Sequence, residues 1–305
     1  MNETLRFDGK VVVITGAGNG LGRTYALQAA RRGAKVVVND LGGSLDGKGG
    51  DHTAAARVVE EIRALGGEAV ANYDSVATEQ GGAAIVEAAL SQWGRVDAVL
   101  ANAGILRDRS FAKMSNEELN SVLDVHFKGT YYTCQPAFRW MKDNGGGNIV
   151  VTTSASALFG NPGQANYCAA KLGIAGLMMV LALEGARAGI KVNAIAPTAA
   201  TRLTAAAGMA EGGDAQSDPM STERVAPLAL ALAHASCAHS GRIFTAAGGW
   251  YSRALIAVSE GWVAGAGEYT AEAVAAHLDT IAATDKLLLP KDATDFFGMM
   301  QSRIG

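Results

Sequence analysis

This sequence of 305 residues contains few prolines and few cysteines, and neither positive nor negative charge is in large excess. Lys and Arg number 26 and Asp and Glu 29, so the formal net charge is −3 and charged residues make up only 18%. This balance offers no basic surface to nucleic acid or anionic lipid, and a nucleic-acid partner is not expected. The 6 prolines and the 49% of hydrophobic residues exclude a disordered or proline-rich chain.

The three cysteines, Cys134, Cys168 and Cys237, are widely spaced and form no CxxC pair or Cys/His cluster. Neither a disulfide framework nor a metal site is expected, which fits a reducing compartment. The longest apolar run covers the 12 residues 172–183, short of the roughly 18 to 20 that a membrane span requires. The N-terminus has no apolar signal region. We therefore expect a cytoplasmic protein with no membrane span and no metal.

Glycine, by contrast, is abundant at 38 residues, without a collagen-like period. Short β-branched runs alternate with longer helical stretches from residue 11 onward, which predicts repeated βαβ units. The fold class is therefore α/β, a Rossmann-type doubly wound parallel sheet. Predicted strands lie at 10–15, 35–40, 68–73, 98–102, 148–153, 191–196 and 242–246, and predicted helices at 24–32, 54–65, 79–93, 117–142, 167–188 and 222–235.

The length is explained by one enlarged domain. Residues 1–250 form the predicted dinucleotide-binding domain with the catalytic site, and 251–305 a helical C-terminal extension, including helix 270–284. The extension is expected to cover the substrate cleft or a subunit interface. Residues 205–221, rich in Gly, Ala, Asp and Ser, are interpreted as a mobile flap.

A glycine-rich turn, TGAGNGLG at 15–22, follows the first predicted strand and precedes the first helix. Glycines at this point let a pyrophosphate approach backbone amides at the helix N-terminus. The same glycines occur in ordinary turns, but the strand before and the helix after them favour a cofactor site. The predicted contacts in the turn are Gly16, Asn19, Gly20, Leu21 and Gly22.

Asp40 ends the second predicted strand, 18 residues after Gly22. A carboxylate there can accept hydrogen bonds from a ribose 2′-OH and would repel a 2′-phosphate. Asn19 and Leu41 offer no cation to such a phosphate. NAD is therefore expected in preference to NADP, the alternative being that Asp40 is only a solvated acid.

Small or polar residues also follow the third and fourth predicted strands, where they would line the same crevice. They are Asp74, Ser75 and Val76 after the third strand, and Asn102, Ala103 and Gly104 after the fourth.

Tyr167 and Lys171 lie four residues apart on a predicted helix, hence on one face. Free tyrosine is a poor base at neutral pH, and a nearby lysine would lower its pKa. Ser154, thirteen residues before Tyr167, ends the preceding strand and can orient a substrate oxygen. A YxxxK pair alone is common on helices; together with Ser154 and the upstream glycine turn it predicts a catalytic site.

These motifs together resemble the classical short-chain dehydrogenases/reductases, over residues 8 to about 250. The resemblance implies that Tyr167 is the acid/base, that Lys171 also holds the nicotinamide ribose, and that Ser154 positions the reacting oxygen. It also adds the segment ending in Pro197, with Ala199, to the cofactor site. The family pairs its helices across a two-fold axis, which implies a homodimer or homotetramer.

One position departs from the family pattern, because His126 stands where most members have an asparagine that supports a proton-relay water. An imidazole can donate one hydrogen bond and accept another, so it could serve the relay. The alternative is that His126 merely packs in the helix interface.

Several longer segments resemble the (3R)-hydroxyacyl-CoA dehydrogenase region of type 2 peroxisomal multifunctional enzymes, also known as 17β-hydroxysteroid dehydrogenase type 4. They are NDLGG at 39–43, ANYDSV at 71–76, NAGILRDRSF at 102–111 and SASALFGNPGQANYCAAKLG at 154–173. The resemblance implies an NAD-dependent dehydrogenase of (3R)-hydroxyacyl-CoA thioesters. Two alternatives are a 17β-hydroxysteroid dehydrogenase and a catalytically idle NAD-binding regulator, against which Ser154, Tyr167 and Lys171 argue.

Overall fold

The computed structural model describes residues 5–44, 46, 49, 52–202 and 218–304. The chain divides into two compact units, Met1–Arg253 and Ala254–Gly305. The predicted flap at 205–221 lies largely outside the described residues.

The first unit is built on an eight-stranded sheet in the order β3-β2-β1-β4-β5-β6-β7-β8. Pairing from β3 through β7 is parallel, and β1 pairs with both β2 and β4. The strands are β1 Val11–Thr15, β2 Lys35–Asn39, β3 Glu68–Asn72, β4 Ala98–Ala101, β5 Gly147–Thr152, β6 Ile190–Thr198, β7 Ile243–Ala247 and β8 Trp250–Ala254.

Helices connect the parallel strands and confirm the predicted α/β class. They are α1 Gly20–Arg31, α2 Thr53–Ala64, α3 Glu79–Trp93, α4 Asn116–Leu123, α5 Gly129–Asp143, α6 Ala155–Phe159, α7 Ala165–Gly185 and α8 Ala226–Ala233. All five residues of β1 are buried, as expected for a central strand covered on both faces. A core cluster that includes Ile14, Tyr25 and Ile62 joins β1 to α1 and α2.

Two predictions about helices are wrong in detail. The helix predicted at 117–142 is interrupted between α4 and α5 by a π-helical turn, Asp124–Lys128. The helix predicted at 222–235 is a 3₁₀ turn, Thr222–Arg224, followed by the shorter α8. Val125 and Phe127 continue the apolar pattern through the π-helical turn, so the pattern could not mark that turn. Thr222–Arg224 are polar, which is equally compatible with the exposed first turn of an α-helix.

The second unit is less helical than predicted. It contains α9 Ala271–Ala276, α10 Leu278–Ala282 and α11 Ala293–Ile304, together with a two-stranded antiparallel sheet of β9 Val258–Ser259 and β10 Leu287–Leu288. Each strand has only two residues, and the paired residues Ser259 and Leu287 are 28 positions apart in the chain. Local periodicity in the sequence therefore cannot predict these strands. The helix predicted over 270–284 is two short helices broken at His277.

Residues 165–188, which include α7, are long and apolar enough to cross a membrane by length and composition alone. This is weak evidence, because the core helix of a folded domain passes the same test. Lys171 lies buried within α7, and the helix packs along β5 and β6. Leu172, Val180 and Leu183 remain about half exposed on its outer face.

Candidate active site

A cleft of about 330 Å³ opens at the carboxyl ends of the strands, where the strand order reverses between β1 and β4. This is the position at which doubly wound sheets bind their ligands. The cleft brings together every site residue predicted from the sequence except Gly22 and Ser154. The predicted residues that line it are Gly16, Asn19, Gly20, Leu21, Asp40, Leu41, Asp74, Ser75, Val76, Asn102, Ala103, Gly104, His126, Tyr167, Lys171, Pro197 and Ala199.

The glycine turn is shaped by close backbone approach. A Cβ on Gly22 would lie 2.1 Å from the Gly16 carbonyl oxygen, and one on Gly16 would lie 2.8 Å from the Ala103 Cα. Gly22 therefore does not line the cleft, but its lack of a side chain allows the close backbone packing that supports the turn. The side chain of Asn19 does not cap α1, and the first turn of α1 contains no acidic residue. The amides at this helix N-terminus are left for an anion, so the turn fits a dinucleotide pyrophosphate.

Asp40 is held by two backbone amides at the edge of the cleft. Its Oδ2 accepts from Gly18 N at 2.8 Å and its Oδ1 from Gly42 N at 2.7 Å. The carboxylate is thereby fixed where a ribose hydroxyl could reach it.

The expectation that no cation lies near this position is wrong. Arg57 on α2 donates to Gly18 O at 3.3 Å and to Asn19 Oδ1 at 3.2 Å. With Arg202 it lines a side cavity of about 140 Å³ next to the cleft. The helix brings Arg57 back to the glycine turn from 38 residues further along the chain, which neighbouring residues in the sequence could not indicate.

Polar side chains behind the cleft tie the strand ends together, and sequence reasoning missed them. The Thr15 hydroxyl accepts from Asn102 N at 3.0 Å and Ala103 N at 3.1 Å. Asn39 donates to the Asn72 Oδ1 at 2.8 Å. The sequence feature that could have indicated these residues is a polar side chain in the last position of an otherwise apolar strand.

Tyr167 and Ser154 lie together at the substrate side. The Ser154 Oγ caps α6 by accepting from Ser156 N at 3.2 Å, which leaves its proton for another acceptor. A hydrogen bond from Ser154 lowers the pKa of Tyr167, but burial raises it more, so the net pKa is above the ordinary value.

Lys171 lies beneath this pair and is only 3% exposed. Its Nζ donates to Thr152 O at 2.8 Å and lies 5.8 Å from the centroid of the Tyr167 ring. Burial lowers the pKa of Lys171 to about 7. The expectation that Lys171 lowers the tyrosine pKa is therefore not met here, because desolvation dominates at both groups and the ammonium bonds a carbonyl.

His126 sits in the π-helical turn, 1% exposed, with its ring perpendicular to that of Tyr167 at 5.2 Å between centroids. Its Nε2 lies 2.7 Å from Ile105 O and 3.1 Å from Ile105 N, so the tautomer decides which bond forms. Its Nδ1 is buried and has no partner among the described residues. Burial, and secondarily the charge of Lys171, hold the His126 pKa well below its usual value. The ring is therefore neutral.

A glycine turn at a helix N-terminus, an acid at the next strand end and a buried Tyr–Lys pair in one cleft define a dinucleotide-dependent oxidoreductase. Residues 10–211 match the family model described as short chain dehydrogenase. The chain belongs to this family of oxidoreductases, whose members typically bind a nicotinamide cofactor.

Three known proteins illustrate the relationship. The chain is 49% identical over 253 residues to the peroxisomal multifunctional enzyme type 2 of Mus musculus, covering 83% of this chain and 34% of that protein. The structure of the full-length Drosophila melanogaster enzyme of that name superposes with a TM-score of 0.82 at 37% identity, over 98% of this chain and 50% of that one. A 7α-hydroxysteroid dehydrogenase complexed with NADH and 7-oxo glycochenodeoxycholic acid matches with a TM-score of 0.71 at 30% identity, over 82% and 98%.

The chain thus spans about a third of the length of the mouse relative and half that of the fly structure.

Proposed function

We propose that this protein is an NAD-dependent dehydrogenase that interconverts (3R)-hydroxyacyl-CoA and 3-ketoacyl-CoA thioesters in β-oxidation. The observation that supports the reaction type is that Tyr167 and Lys171 line one cleft with the glycine turn, while Ser154 donates a hydrogen bond to Tyr167. The substrate class comes from the likeness to peroxisomal multifunctional enzymes.

In this proposal Tyr167 takes the proton of the substrate alcohol while the Ser154 hydroxyl holds the substrate oxygen in place. Bound NAD supplies the hydride acceptor. Lys171 uses one ammonium proton on Thr152 O, so two remain for the ribose hydroxyls and the tyrosine side of the site. The neutral His126 offers its unpaired Nδ1 for proton exchange beneath Lys171.

The preference for NAD over NADP belongs to this proposal. The support is the negative charge of Asp40, fixed by two amides at the ribose position. The nearby positive charge of Arg57 would instead attract a 2′-phosphate. The preference for NAD therefore depends on the repulsion from Asp40 exceeding the attraction from Arg57.

A steroid alcohol is the second substrate to test, because a relative with 30% identity is a hydroxysteroid dehydrogenase with a bound oxo-steroid acid.

NADH absorbance should rise with (3R)-hydroxyacyl-CoA and not with its (3S) enantiomer. Tyr167→Phe should lower turnover by about 10² to 10⁴ while leaving the Kd for NAD within about twofold. Tyr131→Phe, on the outer face of α5, is the control and should retain full turnover.

Turnover restricted to testosterone-like alcohols would replace the thioester proposal with the steroid one. If no alcohol is oxidised and Tyr167→Phe changes nothing but leaves NAD bound, the protein is an idle NAD-binding regulator.

The cellular compartment and the oligomeric state also remain proposals. Two of the three relatives named above are peroxisomal enzymes by name, which favours a peroxisomal pathway over the cytoplasmic location expected from composition. Fluorescence microscopy of a tagged chain in its own cell would decide between them. The exposed apolar face of α7 supports a homodimer or homotetramer.

A further inference from the structure

Two consecutive residues at the end of β5 hold Lys171 by both its side chain and its main chain. The Lys171 Nζ donates to Thr152 O at 2.8 Å, and the Thr153 hydroxyl donates to Lys171 O at 2.7 Å. Both threonines line the cleft together with Tyr167 and Lys171. These two bonds join the end of β5 to α7 at the lysine of the catalytic pair.

Thr153 is itself fixed from the side of the sheet. It follows directly after β5, and its amide donates to Ile195 O of β6 at 2.8 Å. The residue is 1% exposed, and a β-branched side chain is restricted in χ1, so the strand sets the direction of the hydroxyl. A hydroxyl has one proton to donate, and that of Thr153 is used on Lys171 O. The bond therefore fixes α7 against the sheet.

This bond bears on catalysis because the catalytic groups come from two different elements. Ser154 follows β5, whereas Tyr167 and Lys171 lie on α7. The residue directly before Ser154 thus contacts the main chain of Lys171. A helical carbonyl has two lone pairs, so Lys171 O can accept from Thr153 without giving up its place in the helix.

We propose that Thr153 is a positioning residue, whose hydroxyl sets the place of Lys171, and with it of Tyr167, relative to Ser154 and the cofactor ribose. This role rests on the proposed function, in which Lys171 holds the ribose and Tyr167 takes the proton. Misplacement of reacting groups by about 1 Å can lower a rate by about 10². Loss of the hydroxyl should therefore impair both turnover and NAD binding.

A separate anchor holds the beginning of α7, so variants of Thr153 should fold. The buried Asn166 donates from Nδ2 to Arg107 O at 2.9 Å and to Glu118 O at 3.0 Å. Its Oδ1 accepts from Tyr167 N at 2.8 Å. With these bonds intact, removal of the Thr153 hydroxyl should displace the helix slightly rather than unfold it.

The test compares Thr153→Val with Thr153→Ser. Valine keeps the shape and removes the hydroxyl, so kcat should fall roughly tenfold or more and the Kd for NAD should rise about threefold or more. Serine keeps the hydroxyl and loses a buried methyl group, so its melting temperature should fall while kcat and Kd stay within about twofold of the wild type. With a merely structural role, turnover would instead fall with stability.

Thr133→Val is the matched control. Thr133 is 0% exposed, and its hydroxyl donates to the helical carbonyl of Gly129 at 2.9 Å, within α5. Its loss removes the same kind of bond outside the cleft, so the melting temperature should fall and kcat and the Kd for NAD should not change. If Thr153→Val does not fold, Thr153→Ser is compared with Thr153→Ala. These two differ only in the hydroxyl, and the alanine variant should lose turnover and NAD affinity.

A folded Thr153→Val with kcat and Kd within about twofold of the wild type would overturn the inference. So would a serine variant as impaired as the valine or alanine variant. Titration of intrinsic fluorescence gives the Kd for NAD without any alcohol. The effect of Thr153 on NAD binding is therefore decided even if (3R)-hydroxyacyl-CoA is not oxidised and the proposed function fails.

Discussion

Burial sets the properties of the side chains in the catalytic cleft. Lys171 is 3% exposed, its Nζ donates to Thr152 O, and burial lowers its pKa to about 7. The same burial raises the pKa of Tyr167 and keeps His126 neutral. Such displaced values occur where a fold gives up stability to place functional groups.

Lys171→Met should therefore abolish turnover and raise the melting temperature of the cofactor-free protein. An unfolded lysine stays protonated up to pH about 10, whereas folded Lys171 loses its proton near pH 7. Between these values the unfolded state binds more protons, so wild-type stability rises with pH. The gain in melting temperature should be largest below pH 7 and shrink by pH 9. Scanning fluorimetry that shows equal gains at both pH values would contradict this account.

His126→Ala should reduce turnover by about tenfold or more and leave the Kd for NAD within about twofold. Loss of the ring also leaves one Ile105 backbone group, N or O according to the tautomer, without its partner, at a cost of about 1–3 kcal/mol in the free energy of unfolding. Steady-state kinetics and denaturant unfolding measure the two effects. His239→Ala, on the surface, is the control, and unchanged turnover in His126→Ala would reject the relay.

Asp40→Ala should shift the ratio of NADP to NAD affinity by about tenfold or more toward NADP, since the repulsion of a 2′-phosphate is removed. Arg57→Ala should weaken NADP without weakening NAD. Titration of intrinsic fluorescence with each dinucleotide measures both, with Glu60→Ala as an exposed control on α2. Tighter binding of NADP than NAD by the wild type would refute the role given to Asp40.

At the scale of elements, apolar periodicity located β1 to β7 and most helices to within a few residues, because a buried parallel strand is continuously apolar. The short β8, β9 and β10 were not predicted. It did not reveal the π-helical turn at Asp124–Lys128. That turn presents His126 against Gly104, where an added Cβ would lie 2.3 Å from the imidazole Cε1. This steric clash would arise between residues 22 positions apart in the chain, which only the folded backbone brings together.

The packing of α3 on α5 depends on a glycine in the first turn of α3. A Cβ on Gly82 would lie 2.5 Å from the carbonyl carbon of Tyr132, which is backbone and cannot turn aside. Gly82→Ala should destabilise the fold by about 1–3 kcal/mol, since overpacking exceeds the gain in helix propensity of about 1 kcal/mol. Gly298→Ala on α11 meets open space and is the control. Stabilisation by Gly82→Ala in urea unfolding would show that the helices can separate.

At the scale of the whole molecule, the apolar outer face of α7 bears on assembly. Leu172 is 49% exposed and Leu183 58% exposed, on a helix whose inner face is buried. The double variant Leu172→Asp/Leu183→Asp should convert the proposed oligomer into monomers in sedimentation velocity experiments, because charges cannot be buried in an apolar contact. Leu65→Asp, at the end of α2, should leave the assembly intact. A wild type that sediments as a monomer would dismiss the proposal.

The second unit is the part of the chain that the sequence predicts to cover the substrate cleft or a subunit interface. None of the described residues 254–303 is buried, so this unit has little core of its own.

The sequence by itself determined the α/β class, the glycine turn, the acidic residue Asp40 at the end of the second strand, and the pair of Tyr167 and Lys171. These depend on residue type and short spacing, which the backbone geometry of strands, turns and helices translates directly. Only the tertiary structure decided that Arg57 returns to the glycine turn, that His126 meets Ile105 and that Gln164 donates to Asp108. It also decided the charge states, because the desolvation that moves the pKa values of Lys171 and Tyr167 comes from distant residues closing over them.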